Sequence, residues 1–254
     1  MKNMENKVYV ITAAGGNATA IMVLSKAKTR AEYEKIGRDL IFDNQDKSVE
    51  QAGFLVIADQ HFEMSGGEFC GNAARAAAIL FSKLIGKNQV EFTMSGFPKT
   101  VRASLSELAP RQFLVECHFP EMPLQVSTVD IGQTATLVDL GGIVHVIIEA
   151  AFPEVDFEIK HRQITKALNL DNREAVGVVW VSKGEFTAKI DPVVWVKGVD
   201  SFFYESSCGS GSIAAAKVLG FSQIFQPTGK VITVLIKDKE VILTSEMEVT
   251  DGEY

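Results

Sequence analysis

The sequence predicts an α+β fold in two halves of similar build, each with strands around a central helix. Three observations lead there. Strand-like segments with β-branched residues and bounding turns dominate the chain. Two segments open alike: Cys70-Gly71-Asn72-Ala73-Ala74-Arg75-Ala76-Ala77-Ala78 and Cys208-Gly209-Ser210-Gly211-Ser212-Ile213-Ala214-Ala215-Ala216. Both read as helices with almost no polar face, since Arg75 and Lys83 are the only charges from Cys70 to Ile85. A helix apolar nearly all round is buried, and alanine lets strands approach it closely.

In chain order, strands are expected at Lys7–Ile11, Ala20–Ser25, Gly53–Ala58, Val90–Met94, Phe113–Phe119, Val144–Ile148, Val176–Val181, Val193–Val196, Val231–Ile236 and Val241–Leu243. A helix is expected after Thr29 to about Phe42, with Glu32 completing a capping box. Another follows Cys70 and ends near Gly86, one covers about Val155 to Leu168, and one follows Cys208 and ends at Gly220. The two glycines suit left-handed helix ends. Gly15-Gly16-Asn17 leads the first half and Gly141-Gly142-Ile143 the second, each followed by an apolar strand. The division expected is residues 1–125, carrying Cys70, and 126–254, carrying Cys208.

Several function classes recede. The net charge is −7 and the basic residues are scattered, so no nucleic-acid partner is expected. No run approaches the roughly 20 apolar residues of a membrane span, and the first six residues hold no apolar signal core; a cytoplasmic location is expected. Three cysteines without a C-x-x-C, and four histidines off zinc-ligand spacing, argue for free thiols and no metal.

The chemistry lies at the Cys-Gly turns. The first N–H groups of a helix lack partners within it, and that end carries partial positive charge. Both effects favour thiolate, so pKa values below about 8.5 are expected for Cys70 and Cys208. Gly71 and Gly209 let a substrate approach the backbone, with Asn72 and Ser210 beside it, and free N–H groups suit a carboxylate. Two such turns face to face would hold an α-amino acid with one sulfur on each side of its α-carbon. One thiolate removes the α-proton and the opposite thiol supplies another, which inverts the centre without pyridoxal phosphate or any other cofactor. A lone buried cysteine is usually a small hydrophobe; two in matching contexts reverse that balance. Cys117, alternating with Phe113, Val115 and Phe119, is expected to be core.

These motifs resemble the two signatures of the diaminopimelate epimerase-like racemases, and Gly16-Asn17 resembles that family's substrate-binding asparagine. The resemblance implies two pseudo-symmetric domains, each a curled, mostly antiparallel sheet around a central helix. It also implies a last strand, about 242–254, returning to the first domain, and a homodimer. The second-half Gly-Asn-Pro-His turn of diaminopimelate epimerases reads Gly142-Ile143-Val144-His145 here. Their Glu-Arg-Gly segment has Lys197-Gly198 as its nearest remnant. Both losses argue against a second amino-carboxylate head. The chain is more similar to bacterial histidine racemases of the same fold, in His61-x-x-Met64-Ser65-Gly66-x-Glu68-Phe69-Cys70, Glu205-x-Ser207-Cys208 and Glu50-Gln51-x-Gly53-Phe54. That implies a small amino-acid substrate, histidine, with diaminopimelate or another amino acid as the alternative, and with Asn17, Glu50 and Glu205 at the site and Glu50 paired to an imidazole N–H. His61 and His145 are candidates to tune the thiols. Against each of these side chains stands a bland reading: an ordinary acid on a polar turn or a satisfied structural histidine.

Two other classes compete. Gly209-x-Gly211-x-x-Ala214, with Asp238 ending a later strand, formally fits a dinucleotide fingerprint, but the first half has no counterpart. A non-catalytic amino-acid clamp would need helix ends but not thiols.

Overall fold

The computed structural model describes residues 4–252. It holds strands β1 (Val8–Ala13) and β2 (Gly16–Leu24), helix α1 (Arg30–Asp43), and strands β3 (Val49–Val56) and β4 (His61–Met64). Helix α2 (Gly71–Ile85) leads to β5 (Gln89–Met94), β6 (Phe97–Ala109) and β7 (Gln112–Pro120). Then come β8 (Gln125–Asp130), β9 (Thr134–Asp139), β10 (Val144–Ile148), α3 (Phe157–Ala167), β11 (Ala175–Lys183), β12 (Ala188–Val196) and β13 (Ser201–Tyr204). Helix α4 (Gly209–Leu219), β14 (Gln223–Phe225), β15 (Val231–Lys237) and β16 (Glu240–Asp251) complete the described chain. None of its helices is long and apolar enough to cross a membrane.

The strands join in one path, β1-β2-β3-β4-β5-β6-β7-β16-β15-β14-β12-β11-β10-β9-β8, with β13 added to β12. Because β16 also pairs with β1, the first eight members of that path close into a barrel. Helix α2 lies inside it, buried at every position from Gly71 to Phe81. Strands β10, β11, β12, β14 and β15 surround α4, which is buried from Gly209 to Ala216. One apolar core runs through both interiors, from Ala73 and Ile79 to Ile213 and Ala215.

Two smaller cores lie outside the sheet. Helix α1 covers Val10, Ala20 and Phe54 with Tyr33 and Leu40. Helix α3 lies over Val144, Val146, Val176 and Trp180 with Phe157 and Ile164. Each outer helix bridges a parallel pair, β2 with β3 and β10 with β11, the connection that parallel strands require. The order strand, outer helix, parallel strand, buried helix thus occurs twice.

The helix starts follow local chemistry. Thr29 and Glu32 form the expected capping box on α1. Cys70 and Cys208 cap α2 and α4, their sulfurs accepting the N–H groups of Ala73 and Gly211, and Gly86 and Gly220 end those helices in the left-handed region.

Strand β16 reaches further than Val241–Leu243. Beyond Leu243 it alternates buried Ser245, Met247 and Val249 with exposed Glu246 and Glu248, the pattern of a strand with one wet face. Its first part lies between β15 and β7, and its last part between β7 and β1.

Candidate active site at the paired cysteine turns

The N-termini of α2 and α4 touch. A Cβ built on Gly71 would lie 3.4 Å from the Gly209 backbone, and one on Gly209 would lie 3.0 Å from the Asn72 nitrogen and 3.1 Å from the Gly71 carbonyl carbon. A Cβ on Gly209 would press tightly on the start of α2, so glycine suits this approach, which brings the two cysteine turns together. Both thiols are free and buried. The Cys208 N–H donates to Gln226 Oε1 (2.8 Å), and Cys208 Sγ lies 3.7 Å from Ser210 Oγ.

Strand β3 supplies the next layer. Its pairing with β2 passes from Ala18↔Val49 to Thr19↔Gln51, leaving Glu50 out of register. A bulge of this kind re-aims side chains. Glu50 Oε1 accepts from Ser206 Oγ (2.7 Å), whose oxygen in turn accepts the Asn17 N–H (2.7 Å). Gln51 accepts from the Cys70 thiol (2.9 Å) and donates to Glu205 Oε1 (2.8 Å). One amide therefore joins the first cysteine to the acid that precedes the second.

Glu50, Glu68 and Glu205 line a shared cavity of about 10 Å³. Burial pushes the Glu50 and Glu68 carboxyls up to about 7. Burial, then the charge of Glu50, pushes Glu205 up to about 8. Glu50 Oε2 and Glu68 Oε2 have no hydrogen-bond partner among the described residues, and the Asn17 side chain lies beside Glu205. Buried polar atoms are normally paired. This group is therefore suited to a ligand with several N–H donors and positive charge.

The thiols differ from expectation. Burial, then Glu205, pushes Cys70 up to about 12 and Cys208 well above 9. A helix end contributes at most about 2 kcal/mol, whereas full burial shifts a group by up to about 3–5 units. Desolvation wins, and both sulfurs rest as thiols.

The histidines also depart from their expected role. His61 is committed to Thr93 Oγ1 (2.8 Å) and Glu63 Oε2 (2.7 Å) on the barrel wall, with no bond to either thiol. His145 is fully buried, its ring lies against Gly177, and neither nitrogen has a hydrogen-bond partner among the described residues. Burial holds it down at about 3, so it stays neutral. Asn72 spends its side chain internally, donating to the Ser207 carbonyl (2.9 Å) and accepting from Arg75.

Sequence reasoning passed over Gln51, Glu68, Ser206 and Gln226. Gln51 and Glu68 stand inside the quoted motifs. The signal missed was the bulge, which lets neighbours on one strand serve the same site.

Among curated proteins the chain is 32% identical over 216 residues to a histidine racemase of Fusobacterium nucleatum, covering 79% of this chain and 78% of the relative. It is 25% identical over 210 residues to a histidine racemase of Staphylococcus aureus, covering 78% and 74%. Among solved structures, one described as a predicted epimerase from Pseudomonas aeruginosa matches with a TM-score of 0.66 at 14% identity over 97% of this chain and 98% of the other. A phenazine biosynthesis protein of the PhzF family from Enterococcus faecalis matches at 0.54 and 16%, over 96% of each chain. These two likenesses concern the fold. Residues 8–245 match the family described as the histidine racemase CntK N-terminal domain, and the chain belongs to that family of amino-acid isomerases.

Proposed function

We propose that the protein racemises histidine by two-base acid–base chemistry at Cys70 and Cys208, without pyridoxal phosphate or another cofactor. The observation that carries this reading is the contact of the two cysteine-capped helix starts at Gly71 and Gly209. The names of the curated relatives support histidine as substrate.

In this reading the substrate carboxylate takes the helix N-termini at Gly71–Asn72 and Gly209–Ser210. The ammonium and imidazole N–H groups go to Asn17, Glu50 and Glu205, with Glu50 on the ring and Glu68 adding charge. Both sulfurs rest as thiols, so one must first give up its proton when substrate binds, with Glu205 the carboxylate beside it. As thiolate it then takes the α-proton while the other, as thiol, delivers its own from the opposite face. A cavity of about 10 Å³ does not admit an amino acid, so substrate entry requires the seam to open and close again around it. Residues 1–125 and 126–254 serve as pseudo-symmetric domains of the diaminopimelate epimerase type, in a cytoplasmic homodimer.

The test is racemisation in deuterium oxide followed by chiral chromatography and mass spectrometry. Early product from L-histidine should carry solvent deuterium at the α-carbon while remaining substrate stays unlabelled. Cys70→Ser and Cys208→Ser should each abolish turnover. Near-normal racemisation by either variant, or a requirement for pyridoxal phosphate, overturns the mechanism. Turnover of diaminopimelate without turnover of histidine overturns the substrate.

A further inference from the structure

Arg75 is among the largest fully buried side chains of the described chain, and it sits in the first turns of α2 with no exposure. Its Nε donates to the Gly71 carbonyl (3.2 Å), one terminal nitrogen to Ser245 Oγ (2.8 Å), and the other to Asn72 Oδ1. All three acceptors are neutral. An unpaired charge in the interior costs several kcal/mol. The titratable groups that act on it come from three elements: Cys117 on β7, Cys70 at the start of α2 and Cys208 at the start of α4. No carboxylate is among them.

We propose that Arg75 is a positioning residue for the racemisation: a fixed buried cation that locks the two cysteine turns together and stabilises the thiolate on whichever sulfur carries it. The proposal rests on the two-cysteine reading above.

The locking follows from the bonds. Ser245 on the shared strand β16 anchors the guanidinium, the guanidinium holds Asn72, and Asn72 donates to the carbonyl of Ser207, next to Cys208. The first turn of α2 is thereby tied to the start of α4. The electrostatic part follows from the reaction. One S–H bond forms as the α-C–H bond breaks, and on the opposite face a new C–H bond forms as the other S–H breaks. The net result is one negative charge moved from sulfur to sulfur. Glu205 opposes that charge at both positions, while a cation bonded to Gly71 beside Cys70 and, through Asn72, to Ser207 beside Cys208 favours it at both and need not move. Burial lowers the guanidinium only to about 10, so the charge persists at neutral pH.

The experiment compares Arg75→Met and Arg75→Lys with the unaltered enzyme. Folding is checked by circular dichroism and thermal melting. The pH dependence of alkylation at Cys70 and at Cys208 is read by peptide mass mapping, and kcat and KM for histidine are measured across pH. Arg75→Met should lower kcat at least tenfold with KM changed less than threefold, and should move alkylation of both cysteines to higher pH. Arg75→Lys should restore part of kcat and the alkylation profile. A folded Arg75→Met enzyme with unchanged profiles overturns the proposal. If Arg75→Met does not fold, Ser245→Ala removes one anchor alone: a smaller shift in the same direction supports the proposal, and no shift overturns it. Cys70→Ser and Cys208→Ser are run in parallel. Retained racemisation in either sinks the two-cysteine reading and this proposal together; loss in both, with unaltered Arg75→Met profiles, sinks this proposal alone.

Discussion

Gly71 and Gly209 meet backbone to backbone: a Cβ on Gly209 would stand 3.1 Å from the Gly71 carbonyl carbon, while one on Gly71 would stand 3.4 Å from Gly209 and run into Leu243 at 2.7 Å. Helix propensity alone favours alanine at both positions by about 1 kcal/mol. Overpacking against rigid backbone costs about 1–3 kcal/mol, so the close approach should decide. Gly209→Ala is expected to lower Tm and to cut histidine turnover more than tenfold by moving Cys208. A stabilised, fully active variant would show that the contact is dispensable.

Gln51 connects Cys70 to Glu205 through one amide. Gln51→Leu keeps the side-chain bulk and removes both bonds. Leaving a buried partner unsatisfied costs about 1–3 kcal/mol, so kcat/KM for histidine should fall roughly five- to a hundredfold. Steady-state kinetics over pH 6–9 checks this; an unchanged value would place Gln51 outside the working site.

These two contacts differ in how much the sequence disclosed of them. The Cys-Gly repeat was legible because capping and burial leave local marks: a small polar start, alanines inside, glycine at the end. Strands β4, β6, β8, β9, β13 and β14 were not foreseen. Strand β8 is the last in the path and almost wholly exposed, so its Gln-Val-Ser-Thr-Val-Asp has no buried face to mark it. Strand β6 carries exposed Lys99, Thr100 and Arg102 among its buried positions. Glu50 was reached through resemblance, whereas Gln51 depended on a bulge between β2 and β3, a property of pairing that one strand's sequence does not carry. The thiol environment was misjudged for the same kind of reason, since burial by distant strands outweighs a helix end that local sequence reveals.

Glu50→Gln removes charge while keeping an acceptor for Ser206. With a bond to a charged group at about 1.5–3 kcal/mol, kcat/KM for histidine should fall roughly ten- to a hundredfold. Racemisation assays under saturating and limiting substrate will separate KM from kcat. An unchanged specificity constant removes Glu50 from substrate recognition.

The three buried acids make stability depend on pH in a definite direction. Glu50 and Glu68 are raised to about 7 and Glu205 to about 8. Between about 4.5 and those values the folded chain holds more protons than the unfolded one, so their contribution to stability falls as pH rises. His145 and His161, lowered to about 3 and 4 by burial, act oppositely, their contribution falling as pH drops below about 6.5. Melting from pH 5.5 to 8.5 should therefore show Tm declining through pH 7, and Glu205→Gln should flatten the decline. A slope unaffected by that substitution would contradict the burial of an ionising Glu205.

Cys117 is fully buried on β7 and is not one of the helix caps. Cys117→Ser should lower stability by about 1 kcal/mol and leave kcat/KM for histidine within twofold, measured beside the wild type by thermal melting and chiral assay. Loss of turnover without loss of fold would give this thiol a part in the chemistry.

Strand β16 has a consequence for how the molecule comes into being on the ribosome. Val10 sits opposite Asp251, and Phe113 opposite Met247. The barrel around α2 therefore stays unsealed until nearly all of the described chain has been synthesised, even though α2 and most of its wall are made early. Contacts this remote in sequence slow folding. The first half must wait with an unpaired edge on each of β1 and β7, exposed to other chains until the last strand arrives.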